Sequence, residues 1–337
     1  MRRPLPLVLA TLVVAASTAG CGVFGGDDGP SIVVYNAQHE ELLEEIAPKF
    51  TEKTGIDVDL RNGSDSELAA QLVEEGDKSP ADVFLTENSP AMSAVERAGL
   101  LMKLDPGLTE PIPAQYKPSS GLWTGFVARS TVLVYNTSEM SEKDMPASLL
   151  DLAKPEWKGK VSFSPTGADF QAIVAAVIDL EGEDKAKEWL EGLKANGTVY
   201  DNNLVVLEGV NSGETATGIE YHYYWYRDQA ESGDTSDDSA LHYFGNQDPG
   251  AFLSISGAGI LDSSEHKSDA EKFVEYLVSE EGQQELADSY ALEYPLNPAV
   301  SLDPPVKPFD ELDPPKVNVS DLDNDKAVDL LTEVGFL

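Results

Sequence analysis

Residues Gly218–Arg227 read GIEYHYYWYR and place four tyrosines, a tryptophan and a histidine within six consecutive positions. A helix would spread these side chains around its circumference, and a strand would turn half of them toward water, so neither arrangement is a usual way to build a core. A phenol is a weak acid with a pKa of about 10 in water. A small, highly charged cation can displace phenol protons, because metal ligands bind in their deprotonated form. The stretch therefore indicates either a metal site or an aromatic edge that packs or binds a sugar or another organic ligand.

The overall composition is that of a globular protein, but the charge is strongly acidic. The chain has 337 residues, of which 41% are hydrophobic and 25% charged, and this allows two domains of ordinary size. Sixty acidic against 23 basic residues give a net charge of -37, which argues against nucleic acid and anionic membrane surfaces as partners. The charge could favour a cationic ligand, although a diffuse acidic surface more often serves solubility or a salty habitat.

The N-terminal 30 residues have the pattern of an export signal and anchor. We predict a signal peptide over residues 1–20, because two arginines precede the apolar run Leu5–Ala16, which is too short to span a bilayer comfortably. The small residues before Cys21 resemble a bacterial lipobox, although Thr18 stands where Leu is usual. We expect lipidation of Cys21 and a flexible tether over residues 21–30. The protein would then be extracytoplasmic and anchored to the cell membrane.

Cys21 is also the only cysteine in the chain. An internal disulfide and a thiolate metal cluster are therefore excluded. The simpler alternative to lipidation is a plain secreted protein in which this cysteine is incidental.

From Ser31 onward, short apolar strands alternate with helices. Such alternation predicts a mostly parallel sheet whose ligands collect beyond the carboxyl ends of the strands. His39 and Glu87 both follow predicted strands directly. The predicted strands are Ile32–Tyr35, Ile56–Leu60, Asp82–Thr86, Val132–Tyr135 and Val161–Phe163, with a further apolar stretch at Ala251–Ile260. The predicted helices are Glu40–Lys53, Ser66–Glu75, one that ends at Leu180, Asp184–Ala195, Ser268–Leu277, Glu280–Ser289 and Asp321–Val334.

The turn Thr166-Gly167-Ala168 follows one of these strands and opens a helix. A helix start of this kind offers free backbone N–H groups to an anion. Many helices begin this way, so the turn alone does not define a site.

Several segments together resemble the bacterial ferric-iron-binding proteins of ABC importers, over nearly the whole mature chain, residues 31–337. The segments are Val34–His39 (VYNAQH), Ala81–Glu87 (ADVFLTE), Tyr223–Trp225 (YYW), Ser256–Ala258 (SGA) and Glu293–Pro298 (EYPLNP). The resemblance implies an α/β fold of two lobes, the type II periplasmic-binding-protein fold, with mixed and parallel sheets and a hinge. We place the N-lobe at residues 31–131 and 254–303, and the C-lobe at residues 132–253 and 304–337.

The resemblance also assigns ligands to a ferric ion in the cleft. His39 matches the imidazole ligand, Glu87 the carboxylate ligand, and Tyr223 and Tyr224 the paired phenolates. Ferric ion is small and hard and prefers oxygen donors, and two phenolates with one carboxylate neutralise its three charges. A ferrous or zinc ion would leave excess negative charge at such a site.

The family completes the metal coordination with water or a small exogenous anion, here carbonate, phosphate or citrate. The resemblance places that anion on Thr166, Gly167 and Ala168, with Asn203 as a second contact. Two positions depart from the family pattern, because Tyr221 stands where Asn is common and Asn88 where Gln is common. The identity of the anion, and the need for one, are therefore open.

Other polar residues near these segments receive weaker predictions. Asn88, Arg129 and Tyr221 are expected to surround the metal site without ligating. Arg129 could contact the anion or a ligand carboxylate, or it could pair with any of the many acids. His222 and Tyr226 are expected to point elsewhere or to donate from behind the ligands, and His242 and His266 are expected to have no role.

The resemblance implies capture of ferric iron, free or as a chelate, and delivery by a monomer to the permease and ATPase subunits of an importer. One alternative is a protein of the same fold that holds a polyamine or thiamine through cation–π contacts. A second is an extracytoplasmic metal-dependent hydrolase, which would need an open coordination position and a general base. The sequence contains no HExxH, GxSxG or P-loop motif, so we predict a binding protein rather than an enzyme.

Overall fold

The computed structural model describes residues 29–302 and 305–337. Cys21, the predicted signal peptide and residues 21–28 of the predicted tether lie outside the described residues. Within the described ranges, every helix is too short or too polar to cross a membrane.

The described parts of the chain contain ten strands and ten α-helices, joined by loops and short 3-10 helices. The strands are β1 (Ser31–Asn36), β2 (Asp57–Asn62), β3 (Val83–Leu85), β4 (Trp123–Asn136), β5 (Val161–Phe163), β6 (Thr198–Val199), β7 (Thr217–Tyr221), β8 (Ser239–His242), β9 (Leu253–Ile260) and β10 (Tyr294–Pro295). The helices are α1 (Glu40–Thr54), α2 (Asp65–Glu75), α3 (Ser89–Arg97), α4 (Ala168–Glu181), α5 (Glu183–Asn196), α6 (Asn203–Asn211), α7 (His222–Glu231), α8 (Lys267–Val278), α9 (Glu280–Ala287) and α10 (Asn324–Val334).

The sheet is mixed, with the strand order β2-β1-β3-β9-β4-β7-β5-β6, and β8 and β10 pair with β4. The pairs β1–β2, β1–β3, β5–β6 and β5–β7 are parallel, as the alternation of strands and helices predicts. Strand β4 joins the two halves of the sheet. Its residues 123–130 pair antiparallel with β9, and its residues 131–135 pair antiparallel with β7.

Two large hydrophobic clusters lie on either side of this crossing strand. The first includes Phe50 of α1, Phe84 of β3 and Phe273 of α8, and the second includes Phe163 of β5 and Trp189 of α5. These are the cores of two lobes, so the predicted two-lobed α/β fold is confirmed. The lobe boundaries stay a prediction. Val306 and Val319, in the C-terminal segment, pack in the first cluster.

The aromatic stretch is divided between a strand and a helix. Tyr221 is the last residue of β7 and immediately precedes α7, so Tyr223 and Tyr224 lie in the first turn of that helix. The neighbouring helix α6 packs tightly beneath β7, because a Cβ atom at Gly218 would lie 2.5 Å from the Val206 side chain. The strand-to-helix junction therefore holds the paired tyrosines at the end of a buried strand, where ligands of α/β sheets collect.

The other predicted ligands occupy similar positions in the first half of the chain. His39 immediately precedes α1, and Gly55 ends that helix in the left-handed conformation with a φ of 72°, as expected of a C-terminal glycine. One residue, Thr86, separates the end of β3 from Glu87, and Asn88 directly precedes α3. Each of these side chains therefore lies where the chain turns from a strand into a helix.

Candidate metal centre

The structure brings the four predicted ligands together in the cleft between the lobes. Glu87 Oε1 lies 3.9 Å from His39 Nε2 and 3.5 Å from the Tyr223 hydroxyl. The Tyr223 ring centroid lies 5.2 Å from that of His39 and 4.1 Å from that of Tyr224. The two lobes are thus closed on each other around one imidazole, one carboxyl group and two phenols.

Glu87 is held by contacts to its backbone and to its side chain. Asp65 at the start of α2 accepts the N–H groups of Glu87 and Asn88, each at 2.9 Å. Arg129 Nη1 donates to Glu87 Oε1 at 2.6 Å. Burial and the neighbouring Asp169 raise the pKa of Glu87 to about 8, against the lowering effect of Arg129. The carboxyl group therefore has a fixed position and accepts a proton readily when no cation is bound.

His39 is oriented by residues that the sequence analysis did not assign to the site. Its Nε2 lies 3.1 Å from Glu293 Oε1, and its backbone N–H donates to Gln38 Oε1 at 2.8 Å. Gln38 Nε2 donates in turn to Glu293 Oε2 at 3.1 Å. Burial lowers the pKa of His39, but the adjacent carboxylate of Glu293 outweighs it, so the pKa is raised overall.

Of the paired tyrosines, Tyr223 is fully buried and Tyr224 is partly buried. Tyr223 is 0% exposed, and burial raises the pKa of both Tyr223 and Tyr224 well above the ordinary value. Next to burial, the charge of the neighbouring Tyr224 raises the pKa of Tyr223, and the charge of Asp169 raises the pKa of Tyr224. Both phenols therefore keep their protons unless a cation of high charge replaces them.

The predicted anion turn begins α4, with Gly167 as the residue before the helix and Ala168 as its first residue. Thr166 is exposed, and its hydroxyl donates to the Asp201 carbonyl at 3.4 Å. Asn203 begins α6, and its Nδ2 donates to Asp169 Oδ2 at 2.9 Å. Asn203 therefore contacts a carboxylate, that of Asp169, which directly follows the turn and which the sequence analysis did not assign to the site.

Arg129, Asn88 and Tyr221, the three residues predicted to surround the site, all contact Asp169. Arg129 is 0% exposed, and besides Glu87 it approaches Asp169 Oδ1 at 3.6 Å and Glu293 Oε2 at 3.8 Å. Asn88 Nδ2 donates to Asp65 Oδ2 at 3.2 Å and to Asp169 Oδ1 at 3.3 Å. The Tyr221 hydroxyl donates to the Asp169 carbonyl oxygen at 3.2 Å. Arg129 is thus the cation shared by three carboxylates, including the Glu87 side chain.

His222 lies behind the site and does not face the ligands. Its Nδ1 accepts the Ser130 N–H at 3.2 Å, which leaves Nε2 to donate to the Leu292 carbonyl oxygen at 3.1 Å. Burial lowers its pKa to about 3, so the ring is neutral. The other two histidines are remote from the site: His242 contacts Glu142, and His266 is an exposed residue before α8.

The chemistry of the donor set limits which metal it fits. In the described ranges, no three His, Cys, Asp or Glu side chains are grouped so as to hold a metal ion. A metal in this cleft would depend on the oxygens of Tyr223 and Tyr224. Phenolate and carboxylate oxygens are hard donors that suit a small trivalent cation better than a soft divalent one.

Comparisons with known proteins identify the family to which the chain belongs. Residues 78–325 match the family described as bacterial extracellular solute-binding protein. The chain is 47% identical over 334 residues to the Fe(3+)-binding periplasmic protein of Serratia marcescens, with 99% of this chain and 97% of that protein covered.

Solved structures show the same relationship. The iron-bound HitA of Pseudomonas aeruginosa superposes with a TM-score of 0.85 at 44% identity, over 91% of this chain and 99% of that one. A Trichodesmium protein (IdiA, FutA) in complex with iron and citrate gives a TM-score of 0.81 at 28% identity, over 91% and 100% of the two chains. The predicted family is confirmed. The chain belongs to the bacterial extracellular solute-binding proteins, among relatives named for ferric iron binding.

Proposed function

We propose that this protein captures ferric iron outside the cytoplasm and delivers it to the permease of an ABC importer, which its ATPase subunit drives. The observation that supports this most strongly is the meeting of two adjacent phenols with an imidazole and a carboxyl group from the facing lobe. The 47% identity to a periplasmic Fe(3+)-binding protein supports the same ligand.

In this proposal His39, Glu87, Tyr223 and Tyr224 ligate the ion. Two phenolates and one carboxylate contribute three negative charges, which match the charge of Fe³⁺. The ion supplies the electrostatic driving force that removes the phenol protons, which burial otherwise retains.

Four protein ligands leave two positions of an octahedron for water or a small anion. Carbonate, phosphate and citrate are candidates, and the Trichodesmium relative was crystallised with iron and citrate. Thr166, Gly167, Ala168 and Asn203 are the proposed contacts for such an anion.

The bound ion would also hold the lobes together. His39 and Glu87 precede α1 and α3, whereas the tyrosines begin α7 beyond the crossing strand β4. An ion that ligates all four residues bridges the lobes and stabilises the closed form, which a permease can distinguish from the open form by hinge closure.

The proposal includes the route to the membrane. The signal peptide over residues 1–20 is removed, and a lipid on Cys21 anchors a monomer through the tether. If so, Cys21→Ser should move the protein from the membrane fraction to the soluble fraction. A variant that stays with the membrane would contradict the anchor.

Two observations disfavour the alternatives. The fully buried Arg129 beside the ligands repels an organic cation such as a polyamine or thiamine. The Serratia relative is named as a binding protein and HitA is described as iron-bound, which supports binding rather than catalysis. We therefore propose that the protein has no enzymatic activity.

Metal specificity tests the proposal. Purified protein is incubated with ferric, ferrous or zinc ions or with putrescine, and bound metal and thermal unfolding are measured. We expect one ferric ion per chain, a raised unfolding temperature with ferric ion only, and weaker ferric binding in His39→Asn. The exposed His266→Asn is the matched control and should bind like the parent. Stabilisation by putrescine without ferric binding would support the organic-ligand alternative instead.

A further inference from the structure

We propose that Arg227 holds the cleft closed by stacking on Tyr290, outside the metal centre, and thereby slows the release of iron. We call Arg227, Tyr290 and Glu41 together the outer latch. The inference rests on the proposed function, because it concerns the step in which the ion leaves the cleft. Arg227 is not a ligand in this proposal. It is a positioning residue that holds α7 against the segments around His39.

The guanidinium group of Arg227 lies close to two tyrosine rings. Its Cζ atom is 4.5 Å from the ring centroid of Tyr290 and 6.0 Å from that of Tyr223. The Tyr290 hydroxyl donates to Glu41 Oε2 at 3.0 Å, so α1 in turn holds the ring that Arg227 covers. Arg227 and Tyr290 are partly buried, and Glu41 is exposed. The latch therefore forms an outer layer over the metal centre.

Each member of the latch is joined by a short piece of chain to a residue of the metal centre. Arg227 lies four residues after Tyr223 in α7, which places both side chains on the same face of that helix. Glu41 is the second residue of α1 and lies two residues after His39. Tyr290 lies three residues before the carboxylate that contacts the His39 ring. The contact between Arg227 and Tyr290 thus joins the helix of the tyrosine ligands to the segments that hold the histidine.

This contact has to break when the ion leaves. Tyr223 must then move away from His39, and their ring centroids lie 5.2 Å apart in the closed form. Because Arg227 is carried by the same helix as Tyr223, it must leave the Tyr290 ring in the same movement. A cation over an aromatic ring at a partly exposed site contributes a factor of about 2–5 to an equilibrium. We therefore expect the latch to slow iron release by about that factor, in addition to the bridging by the ion itself.

A similar pair of side chains lies within one lobe and provides the matched control. Arg61 of β2 lies 5.9 Å from the Tyr35 ring centroid of β1. These two strands pair parallel with each other, so their contact stays the same when the lobes separate. Arg61→Met removes an arginine from a tyrosine ring without changing a contact across the cleft.

The test compares the rates at which EDTA removes ferric iron, at EDTA concentrations high enough that the rate no longer rises with EDTA. Arg227→Met should release iron about 2–5-fold faster than wild type, and Arg61→Met should release it at the wild-type rate. Tyr290→Leu should be as fast as Arg227→Met, whereas Tyr290→Phe keeps the ring and should stay close to wild type. The double variant Arg227→Met/Tyr290→Leu should be no faster than either single variant, because both changes remove the same contact.

Two further readouts separate a latch from a change in the ligands. The visible band of loaded Arg227→Met should stay in place, because all four proposed ligands remain. The rate of iron uptake from ferric nitrilotriacetate should equal that of wild type, because the latch forms only after the lobes have closed. An altered band with slower uptake would show that Arg227 acts on the ligands themselves, and this would overturn the proposal.

Release from Arg227→Met at the wild-type rate would also overturn it, as would a double variant whose effect is the product of the two single effects. These outcomes would leave the proposed function intact. Wild type that takes up no ferric iron would refute the proposed function and this inference with it.

Discussion

Replacement of Arg129 by methionine should destabilise the iron-free protein far more than the iron-loaded protein. Arg129 is fully buried and lies 2.6 Å from Glu87, 3.6 Å from Asp169 and 3.8 Å from Glu293. Methionine retains much of the apolar volume of the side chain but removes the only positive charge that these three carboxylates share in the described structure. The iron-free variant would keep uncompensated carboxylates in the cleft.

The magnitude follows from the burial of the group. Removal of one partner from a buried ion pair costs about 3–5 kcal/mol. For a chain of this size each kcal/mol lowers the unfolding temperature by roughly 2 °C, so we expect a decrease of about 6–10 °C without iron. With iron bound, the positive charge of the ion compensates the carboxylates of Glu87 and Asp169 in place of Arg129. The decrease should then be smaller, and the stabilisation that iron confers should be larger than in wild type.

Differential scanning calorimetry of the iron-free and iron-loaded proteins measures both effects. Arg97→Met is the matched control, because Arg97 is 42% exposed and pairs with Asp323 at 3.6 Å. Exposed pairs contribute at most about 1 kcal/mol, so this variant should unfold close to wild type in both states. Equal decreases for Arg129→Met with and without iron would refute the view that Arg129 and the ion neutralise the same carboxylates.

Three further predictions concern protons and the histidine. Ferric affinity should rise by about tenfold per pH unit for each proton that the ion displaces. Such protons are present because the pKa of Glu87 is about 8 and the pKa values of both tyrosines are raised. A ferric affinity that does not change with pH in EDTA competition would contradict this. Because the folded pKa of Glu87 lies above its ordinary value of 4.5, its contribution to iron-free stability is full below that value and is lost as pH rises through about 8. Thermal unfolding should therefore show a steeper loss of stability between about pH 4.5 and pH 8 in wild type than in Glu87→Gln, and identical slopes across that range would exclude this role for Glu87. Glu293→Gln should weaken ferric binding by about 10–100-fold, because it removes the carboxylate that orients His39, while the visible band stays in place; unchanged affinity would show that this contact is dispensable.

The sequence predicts elements that have a continuous apolar pattern or a clear capping residue more successfully than elements that lack one. The helix predicted at Glu40–Lys53 is Glu40–Thr54, and Gly55 ends it, because an amphipathic stripe and a C-terminal glycine are local signals. Only Val132–Tyr135 was predicted from the 14-residue strand β4, since its first half, with Gly125 and Arg129, lacks a continuous apolar pattern. Helix α3 was missed as well. Its buried face includes Ser89 and Ser93, which do not produce an apolar stripe.

The aromatic stretch was recognised as unusual, but its division into the end of β7 and the start of α7 was not predicted. Neither a continuous helix nor a continuous strand describes it, because Tyr221 is the junction between the two. In this divided arrangement the Tyr221 hydroxyl donates a hydrogen bond to a backbone carbonyl of α4, while Tyr223 and Tyr224 face the cleft.

The carboxylates around the ligands were out of reach of sequence reasoning. Asp169 follows the predicted anion turn directly, and Glu293 lies in a segment that supported the resemblance, yet neither position has a distinctive local pattern among so many acidic residues. Their roles depend on contacts distant in sequence, such as that between Gln38 and Glu293, which are 255 positions apart. Their burial beside Arg129 could have identified them, but burial is a property of the folded chain.

The most direct test of the central claim is the visible spectrum of the ferric complex in tyrosine variants. Wild type loaded with one ferric ion should be coloured through a phenolate-to-iron charge-transfer band, and the buried but remote Tyr276→Phe should show the same band. Tyr223→Phe and Tyr224→Phe should each lose intensity, and the double variant should be colourless. A colourless wild-type complex, or a band that survives in the double variant, would contradict ligation of iron by these two phenolates.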